Sequence, residues 1–152
     1  MKLRQLFSKL NEGGNLSVGG HEAQHIDLKV HNRAYIVPIL DTLLQSINNA
    51  YAQQFGSALW NPKLLKSREF LSGSSLHFFN TDIPDEEFIK VKPKVGDIDT
   101  QVNKEAETNI EQFLNASQGK VVGNARFLGF SRGNEQFSSL WELTDPPIKV
   151  QI

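Results

Sequence analysis

Apolar residues that recur at steps of three and four predict one long helix in the first third of the chain. This apolar stripe consists of Ile36, Leu40, Leu43, Leu44, Ile47 and Tyr51. Because proline is tolerated only near the first turn of a helix, we expect the regular part to begin near Pro38. Gly56 is the expected end of the helix.

Two shorter helices are predicted further along the chain. Asn61-Pro62 combines an N-cap with a first-turn proline, which indicates a helix that runs to about Arg68. A second helix is expected from Glu105 to about Ser117, because its apolar residues again share one face. At the start of the chain, residues 3–10 form an amphipathic stretch, and the glycines between positions 13 and 20 predict a loop.

Alternating apolar and polar positions predict four strands and a shorter fifth one. These strands cover residues 95–102, 121–131, 136–143 and 148–152, and the brief one covers 69–71. Arg132-Gly133-Asn134 predicts a hairpin turn, and the prolines and charges of residues 80–94 indicate an exposed insertion. Helices and strands follow no regular βαβ rhythm. The sequence therefore predicts an α+β fold, with a mixed β-sheet packed against helices.

The predicted elements divide the chain into two parts. Residues 1–68 are expected to supply an N-terminal segment and helices that pack on the core, which residues 69–152 form. The last strand pattern stops at Ile152 before it is complete. We therefore expect the core to be truncated at its C-terminal end.

Composition excludes several classes of protein. Because the 152 residues include no cysteine, the chain cannot form disulfides, thiolate metal sites or a cysteine nucleophile. A net charge of −1 offers no electrostatic basis for wrapping a long nucleic acid. No apolar run approaches the ~18 residues that span a bilayer, and no signal-peptide core follows Met1. We therefore expect a cytoplasmic protein with no membrane contact.

One short motif suggests zinc chemistry. His21-Glu22-Ala23-Gln24-His25 matches the H-E-x-x-H pattern of zinc peptidases. On a helix, His21 and His25 would share a face as metal ligands, and Glu22 would act as the base. Gly19-Gly20 stand where that helix should already be running. The favoured interpretation is that these are exposed residues at a loop-to-helix junction, and a zinc peptidase is the third hypothesis for function.

A pair of aspartates is the stronger candidate. Asp97 and Asp99 flank Ile98 in a predicted strand, so their carboxylates project from one face, about 7 Å apart. Carboxylates this close repel unless a cation lies beside them. Mg²⁺ or Mn²⁺ suits such a pair, because Mg²⁺ binds a few carboxylates together with substrate phosphates. The alternative is an exposed strand end with solvated aspartates.

A small-residue turn upstream suggests the phosphate site. Ser72-Gly73-Ser74-Ser75 follows a short apolar segment and precedes residues that could form the first turn of a helix. Glycine lets backbone amides approach phosphate oxygens, and serine hydroxyls donate hydrogen bonds to them. A simple tight turn is the alternative.

Together, the two segments resemble the signature of the polymerase-β-like nucleotidyltransferase superfamily. The residues that carry the resemblance are Phe70-Leu71-Ser72-Gly73-Ser74 and Val95-Gly96-Asp97-Ile98-Asp99. The opening of the chain is also similar to uncharacterised nucleotidyltransferase-like proteins of large tailed phages, through Glu12-Gly13-Gly14-Asn15 and the Val37-Pro38 helix. A phage-encoded protein would act in the host cytoplasm.

The resemblance implies a nucleotidyltransferase-like core and a reaction. A nucleoside monophosphate would pass from a nucleoside triphosphate to an acceptor, with release of pyrophosphate. Gly73, Ser74 and Ser75 would bind the nucleotide, and Asp97 and Asp99 would be catalytic and would ligate Mg²⁺ or Mn²⁺. The acceptor stays open between RNA, a protein and a small molecule.

The sequence departs from the superfamily pattern in two ways. The spacing between the turn and the aspartates is longer than usual, so residues 80–94 must loop out. The superfamily also places a third carboxylate on a later strand, for which residues 148–152 match best. We expect this acid beyond Ile152, and Glu142 is the only nearby substitute. The second hypothesis is therefore a catalytically inactive protein of the same fold that acts as a binding or assembly partner.

Other residues have simpler interpretations. Lys90, Lys92 and Lys94 could steer a phosphate, but alternating lysines on an exposed loop usually solvate it. Arg126 and Arg132 could contact an acceptor, and a solvated sheet face is the favoured interpretation. The two tryptophans, at positions 60 and 141, are expected in the core.

Overall fold

The computed structural model describes residues 16–80 and 83–152 of the chain. These residues form the predicted α+β fold. The predicted mixed sheet was wrong, because the named strands pair only antiparallel, in three small sheets. The amphipathic stretch at 3–10 and Glu12-Gly13-Gly14-Asn15, with the first part of the glycine loop, lie outside the described residues. Among the described helices, none is long and apolar enough to cross a membrane.

The helices and strands follow one another without a repeating unit. In chain order they are β1 (Ser17–Val18), β2 (His21–Glu22), β3 (Ile26–Asp27), α1 (Arg33–Phe55), α2 (Pro62–Ser67), α3 (Ser74–Phe79), α4 (Asp85–Val91), β4 (Lys94–Val95), a 3-10 helix (Lys104–Thr108), α5 (Ile110–Ser117), β5 (Val121–Val122), β6 (Ala125–Gly133), β7 (Gln136–Leu143) and β8 (Lys149–Gln151). Strand β1 pairs with β2, β3 pairs with β4, and β5 to β8 form a four-stranded antiparallel sheet in sequence order.

The long helix α1 begins earlier than the sequence predicts. The side chain of Asn32 caps it by accepting a hydrogen bond of 2.8 Å from the Ala34 amide. Pro38 therefore lies in the second turn, where the only backbone bond it removes is the one to the carbonyl of Ala34. The predicted end is confirmed, since the Gly56 amide bonds to the carbonyl of Ala52 at 2.7 Å. Every residue of the predicted apolar stripe is buried.

The strand predictions were partly wrong. Residues 95–102 do not form one strand: β4 ends at Val95, and only isolated bridges at Asp97 and Thr100 follow. The predicted strand at 69–71 is reduced to a single bridge at Leu71. The hairpin strands β6 and β7 and the final strand β8 are confirmed. The hairpin turn lies at Asn134-Glu135 instead of the predicted Arg132-Gly133-Asn134, because Arg132 and Gly133 still pair with β7.

The run at 121–131 is broken by close packing against α1. Gly123 has φ +60°, and a Cβ there would lie 2.2 Å from the Ser46 hydroxyl oxygen. The chain can approach α1 this closely only with glycine, and it turns there from β5 into β6. The alternating pattern in the sequence gives no indication of this contact between Gly123 and Ser46.

The segment at 80–94 is not simply an exposed insertion. Residues 85–91 of it form α4, whose Phe88 is buried and packs against Phe78 of α3, with ring centroids 5.9 Å apart. Because Phe88 is buried, α4 is part of the packed structure. The many charged residues around Phe88 gave no indication of this in the sequence.

Two arginines connect α1 to the later helices. Arg33 is 4% exposed, and its Nε lies 2.7 Å from a carboxylate oxygen of Asp85 in α4. Arg68, which follows α2, lies 2.7 Å from the Asp41 carboxylate and also donates to the carbonyl of Phe79 in α3. Burial raises the pKa of the Asp41 carboxyl, and the Arg68 charge opposes that shift. Both pairs hold α3 and α4 against the long helix.

One hydrophobic core runs through the described chain. It joins the inner face of α1 to the sheet and to α5, and it extends from Ile26 to Val150. Trp60 and Trp141 are both within it, so the prediction that they are core residues is confirmed. The core therefore draws on residues from both parts into which the sequence was divided.

The loop after α1 depends on one buried amide. The side-chain oxygen of Asn48 accepts hydrogen bonds of 3.1 Å from the backbone amides of Leu59 and Trp60. Both amides belong to the segment that leads into α2. This side chain therefore replaces the backbone partners that the loop lacks.

We predict that Asn48→Ala lowers the free energy of unfolding by about 2 to 3 kcal/mol, because it leaves two buried amides unbonded. Asn49→Ala is the matched control, since Asn49 is exposed on the same helix and should change stability by less than about 0.5 kcal/mol. Urea denaturation of both variants measures the difference. Equal stability of the two variants would contradict this role of Asn48.

Candidate functional site

The two predicted aspartates lie at the edge of the main sheet. Asp97 pairs with Gln151 of β8 in a parallel bridge, and the Ile98 amide donates to the carbonyl of Gln151 at 2.9 Å. Ile98 is 1% exposed and faces the core, whereas Asp97 is half-buried and Asp99 is exposed. All three residues line the same cleft, and Ile98 is more buried than the aspartate on either side of it, although no regular strand forms; the common direction of the two carboxylates stays a prediction.

The backbone of Asp99 is joined to the small-residue turn by two hydrogen bonds. Its amide donates to the hydroxyl oxygen of Ser75 at 2.8 Å, and its carbonyl accepts from the Ser72 amide at 3.0 Å. The adjoining antiparallel bridge between Leu71 and Thr100 continues this contact. The structure therefore brings together the two segments that the sequence singled out separately.

Gly73 lies beside the carboxylate of Asp99. It has φ +59° and ψ −138°, a conformation that residues with a side chain rarely adopt. A Cβ at this position would lie 3.9 Å from Oδ2 of Asp99. The turn thus presents backbone without a side chain beside the Asp99 carboxylate.

The two serines after Gly73 differ in exposure. Ser74 is half-buried, and its hydroxyl accepts a hydrogen bond of 3.0 Å from the ammonium group of Lys92. Ser75 is 1% exposed, and its hydroxyl oxygen accepts from the Asp99 amide. Ser75 therefore lies behind the turn and positions Asp99, and its predicted contact with a nucleotide stays a prediction.

A cleft of about 1320 Å³ opens in front of the aspartates. One wall contains Asp97, Asp99 and Ser72, and the facing residues include the tip of the β6–β7 hairpin. Thr100 is fixed in this wall, because its hydroxyl accepts a hydrogen bond of 3.0 Å from the indole of Trp60. A cleft of this size exceeds the roughly 300 to 1,000 Å³ typical of small-molecule pockets.

The charges that line the cleft are mainly negative. Among the described lining residues, four are acidic and one is basic. They are Asp97, Asp99, Glu107, Glu135 and Arg132. Arg132 is itself paired with Glu111 at 2.9 Å. Acidic residues that line one partly enclosed space favour the approach of a cation.

The third carboxylate of the site has no counterpart in the described residues. Glu142 is not among the residues that line the cleft, so the structure does not bring the predicted substitute to the site. Within residues 16–80 and 83–152, no three His, Asp, Glu or Cys side chains form a group that could hold a metal. Gln151, which the sequence analysis missed, is the residue that pairs with Asp97 and lines the cleft.

The histidine motif does not form the arrangement that a zinc peptidase needs. His21 and Glu22 belong to strand β2, and His25 is exposed in the loop before β3. The expected loop-to-helix junction was therefore wrong, because β1 and β2 pair across Gly19-Gly20. On a backbone that is not helical, residues four apart are separated by about 13 Å when the chain is extended, whereas on a helix they lie about one turn apart and can bind one zinc ion together.

No family model matches this chain, and no curated protein or solved structure is significantly similar to it.

We predict that Ser75→Ala and Ser74→Ala have different effects on stability. Loss of the Ser75 hydroxyl leaves the Asp99 amide unbonded and should lower the free energy of unfolding by about 1 to 2 kcal/mol. Ser74→Ala removes a more exposed hydroxyl and should change it by less than about 0.5 kcal/mol. Chemical denaturation of the two variants compares them. If Ser75→Ala were as stable as the unmodified protein, its hydroxyl would not hold Asp99 to the turn.

Proposed function

We propose that this protein transfers a nucleoside monophosphate from a nucleoside triphosphate to an acceptor in a reaction that depends on Mg²⁺ or Mn²⁺. The observation that supports this best is the attachment of Asp99 to the Ser72–Ser75 turn through both its amide and its carbonyl. A phosphate site and a metal site have to be adjacent for this chemistry, because the metal bridges the carboxylates and the phosphate oxygens.

Asp97 and Asp99 are the residues that would hold the divalent cation. Two carboxylates suit Mg²⁺, which completes its coordination with phosphate oxygens and water instead of an all-protein cage. The bound cation would neutralise the phosphate charge that develops during transfer. The acidic lining of the cleft supports this assignment, since a triphosphate would be repelled from it without a cation.

Gly73 and Ser74 would bind the phosphates of the nucleotide. The unusual backbone conformation at Gly73 leaves no side chain between the turn and the Asp99 carboxylate. The Ser74 hydroxyl is half-buried at the same turn. Of the turn residues only Ser72 lines the cleft, so the phosphates would bind at its margin, between the turn and Asp99.

We predict that a nucleoside triphosphate and Mg²⁺ together raise the melting temperature of the protein, because a ligand that binds only the folded state stabilises it. Asp97→Asn and Asp99→Asn should abolish this rise, since each removes a charged metal ligand. Thermal unfolding with Mg²⁺ alone, with each ribonucleoside triphosphate alone, and with both together measures the effect.

Glu22→Gln is the matched control for these variants, because Glu22 is exposed on β2 and does not line the cleft. It should respond to the ligands as the unmodified protein does. A rise in melting temperature that survives in both aspartate variants would overturn the assignment of the metal site.

A second candidate function rests on the missing third carboxylate. Within the described residues no group of three carboxylates that could hold a metal occurs, and Glu142 does not line the cleft. Such a site would suit a protein that binds a nucleotide, or another partner, without transferring it. Binding of Mg²⁺ and nucleotide without release of pyrophosphate, measured on the full gene product, would favour this alternative.

A further inference from the structure

Lys92 connects the end of α4 to the Ser72–Ser75 turn, the candidate phosphate site. Its backbone amide donates to the carbonyl of Phe88 at 2.8 Å and so caps the end of α4. Its ammonium group lies 3.0 Å from the hydroxyl oxygen of Ser74. Lys92 therefore brings a positive charge to the turn whose Gly73 adjoins the Asp99 carboxylate.

The position of Lys92 is fixed by the packing of α4. The helix is held at its start by the ion pair between the buried Arg33 and Asp85, 2.7 Å apart. In its middle, Phe88 lies under the Arg33 guanidinium at 4.9 Å and packs on Phe78 of α3. Ser74 begins α3 and Lys92 follows α4. Because these two helices pack against each other, their contacts keep the Lys92 ammonium group and the Ser74 hydroxyl close together.

The neighbouring lysines lack this placement. Lys90 and Lys94 are exposed, and Lys94 pairs through its backbone with Asp27 between β4 and β3. The three lysines occupy every second position of the sequence, so the sequence pattern alone does not show which of them lies at the turn. Lys92 is distinguished by its hydrogen bond to Ser74, and the other two provide natural controls of the same charge.

We propose that Lys92 binds the terminal phosphates of the nucleoside triphosphate, an inference that rests on the proposed function. A lysine ammonium group has three donors, and the bond to Ser74 uses one of them. The remaining donors can bind phosphate oxygens while the bond to Ser74 keeps the group at the turn. Asp97 and Asp99 would act on the same phosphates through the divalent cation, so the lysine and the cation share the neutralisation of charge.

The test is isothermal titration of the full chain in Mg²⁺ with ribonucleoside triphosphates, ribonucleoside monophosphates and inorganic tripolyphosphate. Lys92→Ala should weaken binding of the triphosphate and of tripolyphosphate about tenfold or more, because it removes a charge-assisted hydrogen bond. Binding of the monophosphate should change less than about twofold, because it lacks the terminal phosphates. Lys92→Arg should retain most of the affinity, since it keeps the charge.

Lys90→Ala and Lys94→Ala control for the general loss of a positive charge and should bind all three probes as the unmodified protein does. A melting temperature close to that of the unmodified protein shows that Lys92→Ala is folded, and Lys92→Gln serves as a second variant. Unchanged triphosphate affinity in both Lys92 variants would overturn the inference and leave the proposed function intact. If the unmodified protein bound no triphosphate at all, the proposed function would fail together with the inference.

Discussion

The candidate site depends on the hydrogen bonds that join the backbone of Asp99 to the Ser72–Ser75 turn. The buried hydroxyl of Ser75 and the amide of Ser72 bind the amide and the carbonyl of the same residue. Because both bonds involve the Asp99 backbone, the carboxylate stays available to the cleft. Residues far apart in sequence thereby form one structural unit. The adjoining Leu71–Thr100 bridge and the hydrogen bond of 2.8 Å from the Gln101 amide to the Phe70 carbonyl extend this attachment.

The scaffold that supports this unit is built outward from α1. Two arginines join α1 to the neighbouring helices. Arg33 of α1 pairs with Asp85 of α4, and Arg68 binds both Asp41 of α1 and the carbonyl of Phe79 in α3. A guanidinium group offers five donors in a fixed plane, so one side chain can hold several elements at once. Both arginines also lie against phenylalanine rings, at 4.9 Å and 5.8 Å. These contacts position α3 and α4, which carry the residues of the turn and Lys92.

The electrostatics of the cleft limit the chemistry that it can support. Its acidic lining favours cations and opposes a phosphate that arrives alone. Within the described residues no third carboxylate joins Asp97 and Asp99 in a group that could hold a metal, and the Gln151 side-chain oxygen accepts a hydrogen bond from the Leu16 amide. Lys92 does not line the cleft, and its ammonium group brings a positive charge to the Ser74 hydroxyl beside it.

The sequence by itself determined the local features, because these follow from patterns of a few residues. The apolar stripe of α1, the Asn61 cap, the β6–β7 hairpin and the burial of Ile98 between Asp97 and Asp99 are all of this kind. Only the tertiary structure decided the remaining features. The break at Gly123 results from contact with Ser46, and the burial of Phe88 results from packing on α3. The selection of Lys92 among similar lysines follows from its distance to Ser74. Each of these depends on a partner distant in sequence, and residue spacing along the chain carries no information about such contacts.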